Sequence, residues 1–306
     1  MMETFEGLTA VVTGGGSGIG RALAHMAASL GMRVVIADIQ QDALDDAAAE
    51  LAASGARVLK VRTDTSRAED VELLASSVRA TFGVPHLLFN NAGVAAGGLI
   101  WETAPSTWKW VLGVNLLGVA YGVHHFVPMM LEQASRQPGF EARIINTASM
   151  AGLLNPPNMG VYSASKHAVV SMTETLAHDL ALVTDRVRAH VLCPYFVATG
   201  IVESERNRPG EKLAPTHSEL VSRSMSDKAV RGSRITADEV ARSVFDAIRA
   251  ERFYVFSHPQ ALESVRVRFD DILTGHNPTD PYLERPQVRD ALREAIRAPQ
   301  SAGVVR

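Results

Sequence analysis

Seven short runs rich in apolar and β-branched residues recur along the chain: LTAVVT (8–13), RVVIAD (33–38), ARVLKV (56–61), HLLFN (86–90), RIINTA (143–148), VRAHVLC (187–193) and FYVFS (253–257). Each of the first six is followed by a stretch of helical periodicity, at 18–31, 41–54, 67–82, 105–132, 161–183 and 236–250. Strands that alternate with helices of this length predict βαβ units, hence an α/β fold with a doubly wound parallel sheet covered by helices on both faces. The near-continuous apolar character of the strands agrees, because parallel strands are buried on both sides. With 306 residues, 46% of them hydrophobic, the chain can bury one large core or two small ones. No internal repeat or low-complexity segment is visible.

Two segments stand outside this rhythm. Residues 199–235 carry much charge and few apolar side chains, and a connection so long inside a compact domain is expected to be functional or mobile. Beyond 257, Ala261, Val265, Phe269 and Ile272, then Val288, Leu292 and Ile296, fall at helical spacing. They predict two helices in a C-terminal extension, 258–306, that packs on a single 1–257 domain, since neither is long enough to enclose a core of its own.

Several classes of partner are not expected. A net charge of -3 and scattered Lys and Arg provide no basic field for nucleic acid. The one cysteine, Cys193, excludes an internal disulfide framework and a cysteine-rich metal site, which fits a reducing compartment; it reads as a small buried hydrophobe near a strand end. His124 and His125 are consecutive on a helix and so point about 100° apart, which argues against a metal site. The start of the chain does not read as a signal peptide, and no run approaches about 18 uninterrupted apolar residues, so a cytoplasmic protein without a membrane span is expected.

LTAVVTGGGSGIGRALAHMA reads as strand, glycine-rich turn and helix. Gly14, Gly18 and Gly20, with Ser17 and Ile19 between them, let the backbone approach a pyrophosphate where the helix offers free N–H groups and its positive dipole end. The next strand ends at Asp38, where an acid can accept hydrogen bonds from ribose hydroxyls and would repel a 2'-phosphate. The plainer alternative for Asp38 is a turn or helix cap. Taken with the glycine loop, NAD is expected in preference to NADP.

In GVYSASKHAVV, Tyr162 and Lys166 lie four residues apart near a helix start, so their heads can share a face. A fixed cation favours the ionised form of a nearby phenol, which suits Tyr162 to acid/base work. Ser149 ends a strand thirteen residues earlier, placing its hydroxyl at the carboxyl edge of the sheet, where ligands bind in such folds.

TGGGSGIG (13–20), NNAG (90–93), VNLLG (114–118), NTASMAG (146–152) and YSASK (162–166) together give a chain that resembles the classical short-chain dehydrogenase/reductase family over about residues 5–257. The resemblance implies a Rossmann-type, seven-stranded sheet of order 3-2-1-4-5-6-7, and a homodimer or homotetramer. It implies that Ser149, Tyr162 and Lys166 form the catalytic triad, with Asn115 a fourth member that holds a water linking Lys166 to solvent. Lys166 is expected to lower the Tyr162 pKa and to bond the nicotinamide ribose. Asp64 and Thr65 would hold the adenine, Asn91 with Ala92 and Gly93 would line the cofactor cleft, and Pro194, Val197 and Thr199 would grip the carboxamide and phosphates. A Pro-Gly usual in the family is Pro194-Tyr195 here.

The expected reaction is NAD-dependent interconversion of a hydrophobic secondary alcohol and its ketone, with Tyr162 as the general base of oxidation. Candidate substrate contacts are Val94, Met150, Leu153, Leu154, Asn158, Met159, Tyr195 and Phe196, a mostly apolar set. Arg206 and Arg208 could add an anion partner. Length and tail are similar to those of bacterial dehydrogenases acting on the benzylic alcohol of lignin-derived diaryl compounds. An NADPH ketoreductase is the alternative, opposed by Asp38; a non-catalytic dinucleotide-binding protein is another, opposed by the intact set of four.

Overall fold

A computed structural model describes residues 2, 4–210 and 214–298. Seven parallel strands, β1 (Thr9–Thr13), β2 (Arg33–Asp38), β3 (Val58–Arg62), β4 (Leu87–Asn90), β5 (Ala142–Thr147), β6 (Val187–Cys193) and β7 (Tyr254–Phe256), form one sheet of order β3-β2-β1-β4-β5-β6-β7. This is the doubly wound Rossmann arrangement, with its switch point between β1 and β4.

Strand period decides which helices cover which face. Val12, Val34 and Ile36 point into one core with α1 (Gly18–Ser29), α2 (Gln41–Ala53) and, near the chain's end, α8 (Ala237–Arg249). Their neighbours Val11 and Val35 point into the opposite core with α3 (Ala68–Phe82), α5 (Gly118–Arg136) and α6 (Gly160–Val183). Every residue of β1 is buried, as the continuous apolar run requires.

The expected helix at 105–132 is α4 (Pro105–Leu112) and α5 joined through a π-helical turn, Gly113–Leu117. By length and composition this 32-residue stretch could cross a membrane, but it packs on α3 and β4 with half of its most apolar window buried, as a core helix does.

Residues 199–235, expected to be functional or mobile, carry regular structure among the described residues. They hold a 3-10 turn, Gly200–Asn207, and α7, His217–Arg231. A capping box starts α7: the Thr216 hydroxyl accepts from Glu219 N, and the Glu219 carboxylate accepts from Thr216 N at 2.8 Å. Its buried face is mostly serine, Ser218 and Ser222 with Val230, so hydrophobic periodicity could not reveal it.

The extension forms the two helices expected, α9 (Leu262–Thr274) and α10 (Pro286–Arg297). None of α9 is buried, whereas Leu292 of α10 is. Residues 299–306 of the expected extension lie outside the described residues.

Candidate active site

A cleft of about 950 Å³ opens at the carboxyl edge of the sheet, running from the glycine loop past Tyr162 to the tail helices. At its first end the chain leaves β1 through Gly14, held at φ +64. A Cβ on Gly20 would stand 2.0 Å from Gly14 O and 2.6 Å from Asn91 Nδ2, so only glycine lets α1 approach the loop this closely. The Ser17 side chain makes no cap bond, and Ser17, Gly18 and Ile19 line the cleft, which leaves first-turn N–H groups of α1 to an anion.

Asp38 has the turn role that was its plainer reading, and it also lines the cleft. One carboxylate oxygen accepts from Gly16 N and the other from Gln40 N, each at 3.0 Å, so the side chain braces the glycine loop while facing the cleft. Asp64 and Thr65 line the same end; Asp64 accepts from the Ser66 backbone and hydroxyl, and Thr65 packs against Gly118. Thr13, not among the expected site residues, organises the NNAG turn by accepting from Asn91 N and Ala92 N at 2.9 and 3.1 Å. The Asn91 amide returns to Thr13 O, and Gly93 and Ala92 form the adjoining wall.

Midway along the cleft, Ser149, Tyr162 and Lys166 converge from the end of β5 and the first turns of α6. Ser149 caps a 3-10 turn by accepting from Ala151 N at 3.1 Å and donates to Pro194 O at 3.3 Å. Lys166 is 3% exposed; its ammonium donates to Thr147 O at 2.8 Å and lies 5.8 Å from the centre of the Tyr162 ring. Burial pushes Lys166 down to about 8. Burial raises Tyr162 as well, against the lowering effect of its hydrogen bond with Ser149. In this structure desolvation is the larger influence on Tyr162, and it acts against the lowering expected from Lys166.

Asn115 sits on the π-helical turn and is fully buried. Its oxygen accepts from Val94 N at 2.8 Å, and its nitrogen donates to Val94 O at 2.9 Å and Ser165 Oγ at 3.0 Å. The amide thus clamps the strand-end segment to α6 behind the cleft wall.

Pro194 O anchors the segment after β6 by accepting from Met150 N at 2.8 Å. The Val197 side chain is turned into the core with α1 and α8, leaving its backbone to the cleft. Thr199 packs over Gly18 at the start of α1. Tyr195, the departure from Pro-Gly, lies in the cleft wall with its ring 4.5 Å from Phe196 and 5.6 Å from His258.

Of the expected substrate contacts, Leu154, Asn158, Met159, Tyr195 and Phe196 line the cleft. Val94 and Met150 are buried in its wall. Leu153 is a correction: it faces the core beneath α6, and only its carbonyl turns outward, to Arg268 of α9 at 3.2 Å. Asn158, at φ +64, latches α7 over the cleft, donating to Ser218 O and accepting from Ser222 Oγ and Gly98 N. Met225 of α7 and Tyr282 and Leu292 of the tail complete the roof, and His217 of α7 meets Ala295 O of α10 at 2.7 Å. Neither sequence arginine serves this end. Arg208 is spent on Thr107 and Glu205 and stacks on Trp110, and Arg206 lies at the other end of the cleft.

Cys193 is buried, with its thiol pushed up to about 12 by desolvation, so it is the inert hydrophobe expected. No cluster of potential metal ligands occurs among the described residues.

A glycine loop without obstructing side chains, an acid at the ribose position and a Ser-Tyr-Lys set beyond them fit a nicotinamide dinucleotide and define an oxidoreductase site. Residues 8–210 match the short chain dehydrogenase family profile, and the chain belongs to that family. It is 34% identical to a CLA biosynthesis dehydrogenase/reductase of Lactiplantibacillus plantarum over 90% of this chain and 97% of that protein. It is 32% identical to a cyclohexanol dehydrogenase of an Acinetobacter strain over 70% of this chain and 83% of that one. A solved short chain dehydrogenase/reductase of Burkholderia phymatum in complex with NAD superposes with a TM-score of 0.88 at 50% identity, covering 92% of this chain and 99% of its own.

Proposed function

We propose that this oxidoreductase interconverts a hydrophobic secondary alcohol, cyclic or aryl, and its ketone, with NAD as the hydride acceptor. The observation that carries the reading is the convergence of Ser149, Tyr162 and Lys166 in one cleft with the glycine loop. The Asp38 carboxylate supports NAD, as does the NAD complex of the 50% identical relative. A roof built from Met225, Leu292 and the Tyr195 and Phe196 rings favours an apolar substrate, and the cyclohexanol dehydrogenase relative points to a ring.

When bound, the nicotinamide cofactor supplies the hydride acceptor and donor. Asp38 and the start of α1 would hold its ribose and pyrophosphate, and Asp64 and Thr65 its adenine end. Ser149 Oγ orients the substrate oxygen, and Tyr162 Oη takes its proton in oxidation or returns one in reduction. Lys166 Nζ, held by Thr147 O, would bond the nicotinamide ribose and keeps a positive charge beside the phenol. Asn115, with its amide committed, contributes to a relay only through its backbone carbonyl in the π-helical turn. Because burial raises the Tyr162 pKa and oxidation draws on the phenolate, oxidation should rise with pH and reduction should not. The exposed apolar residues Phe269, Ile272 and Leu273 on α9 support assembly as a homodimer or homotetramer.

Tyr162→Phe tests the mechanism against a panel of cyclic and aryl secondary alcohols. Turnover should fall by about 10³-fold while NADH binding stays within twofold, in the range general acid-base groups contribute. Near-normal turnover would remove Tyr162 from the chemistry.

A further inference from the structure

Arg206 is the cleft-lining arginine nearest the glycine loop, and its placement has a use the catalytic set does not absorb. It lies on the 3-10 turn Gly200–Asn207 that follows β6, yet its Nε donates to Gln40 Oε1, two residues past Asp38, at 3.3 Å. In the sheet, β2 and β6 are separated by β1, β4 and β5. The side chain therefore reaches over the carboxyl ends of the central strands, from the segment that begins with Thr199 to the loop that ends β2.

The remaining geometry fixes what lies beneath. Nη1 donates to Gly200 O at 3.0 Å, and Nη2 stands 3.5 Å from where a Cβ on Gly200 would be. Thr199, next to Gly200, packs on Gly18, the first residue of α1, and Gly16 is bonded to Asp38. The guanidinium thus bridges the mouth of the cleft at the α1 N-terminus, the place where this kind of loop receives a pyrophosphate. Its one ion-pair partner, Glu203, is 3.9 Å away and exposed, and Nη2 has no protein acceptor among the described residues. A planar fork with free donors beside an anion site is suited to bidentate phosphate pairing.

We infer that Arg206 is a cofactor-positioning residue: its guanidinium pairs with the pyrophosphate of the dinucleotide, and its bond to Gln40 closes the strap across the bound cofactor. This rests on the proposed dinucleotide-dependent function. The 3-10 turn that carries Arg206 also packs on α7, the helix that roofs the other end of the cleft.

The test is direct binding to the full chain. Dissociation constants of NADH, NADPH and ADP-ribose are measured by fluorescence and calorimetry for wild type, Arg206→Gln and Arg206→Lys, with substrate KM taken at saturating NAD. Arg206→Gln should weaken NADH and ADP-ribose equally, by about tenfold, or about 1.4 kcal/mol. Added salt should weaken wild-type binding more steeply than that of Arg206→Gln, Arg206→Lys should recover part of the loss, and substrate KM should stay within twofold. Unchanged binding of NADH and ADP-ribose by Arg206→Gln would overturn the inference. So would a loss confined to NADPH, which would assign Arg206 to a 2'-phosphate, or a raised substrate KM with unchanged cofactor binding, which would make it a support for α7. Wild type that binds no dinucleotide would overturn the function proposed as well, and so separates the two failures.

Discussion

Asp38→Asn should change the choice between NAD and NADP, and the structure sets how far. The carboxylate is held by Gly16 N and Gln40 N at 3.0 Å each, so its position in the cleft is fixed before a ligand arrives. A ribose 2'-hydroxyl within hydrogen-bond reach gains a charge-assisted bond, worth roughly 1.5–3 kcal/mol. A 2'-phosphate in that place would bring two negative groups to about 4 Å, costing about 1 kcal/mol per unit charge in bulk water and about 4 at an effective dielectric of 20. Asp38 is half-buried, which places the repulsion between these limits. Together the two effects amount to roughly 2.5–7 kcal/mol, or about 10²- to 10⁵-fold in the NADP:NAD ratio of kcat/KM. Asn presents one acceptor and one donor, so one of the two backbone N–H groups loses its partner and the loop loosens. Both cofactors share that loop, so the loosening cancels in the ratio. The assay is kcat/KM for each cofactor with one alcohol, backed by dissociation constants for NADH and NADPH. A ratio that moves less than threefold, or a wild type that already prefers NADP, would refute the assignment of Asp38.

Gly20→Ala should abolish dinucleotide binding with a cost to folding of about 1–3 kcal/mol, because its Cβ would meet backbone 2.0 Å away that no rotamer can relieve; NADH binding within tenfold of wild type would show that the loop yields. Leu292→Asp, on α10 beneath the roof, should raise substrate KM about tenfold while leaving the NADH dissociation constant alone, and an unchanged KM would detach the tail from the substrate site. His190 is pushed down to about 4 by burial, its Nδ1 at 2.8 Å from Arg252 O and its Nε2 buried without a partner among the described residues. Its neutral form is favoured on folding, so its contribution is complete above pH 6.5 and is lost as pH falls from 6.5 towards 4, by at most about 3 kcal/mol. Urea midpoints at pH 7.5 and 5 should therefore differ less in His190→Gln than in wild type, and equal differences would refute the buried neutral imidazole.

The sheet was legible because period carries it: apolar residues alternate between two cores in β1 and β2, and both faces must be covered. The meeting of Ser149, Tyr162 and Lys166 in one cleft was legible because their spacing is local, one helical turn between Tyr162 and Lys166 and one strand end for Ser149. α7 was hidden because its buried face is serine, and serine buries by hydrogen bonding to Asn158 rather than by being apolar. Val197 and Leu153 read as cleft residues from their motif and loop, yet each turns its side chain into the core, a choice that backbone direction makes and composition does not.

By itself, the sequence determined the fold class, the glycine loop, the acid at residue 38 and the Ser149, Tyr162 and Lys166 set proposed as catalytic, all of them patterns within one or two elements. Tertiary structure alone decided three other things: the desolvation of Tyr162, the closing of α7 and the tail over one end of the cleft, and the placement of Arg206 beside Gln40. The reason is physical. Propensity and period act between near neighbours in the chain, whereas desolvation and contacts 78 or 166 residues apart exist only after the elements have packed.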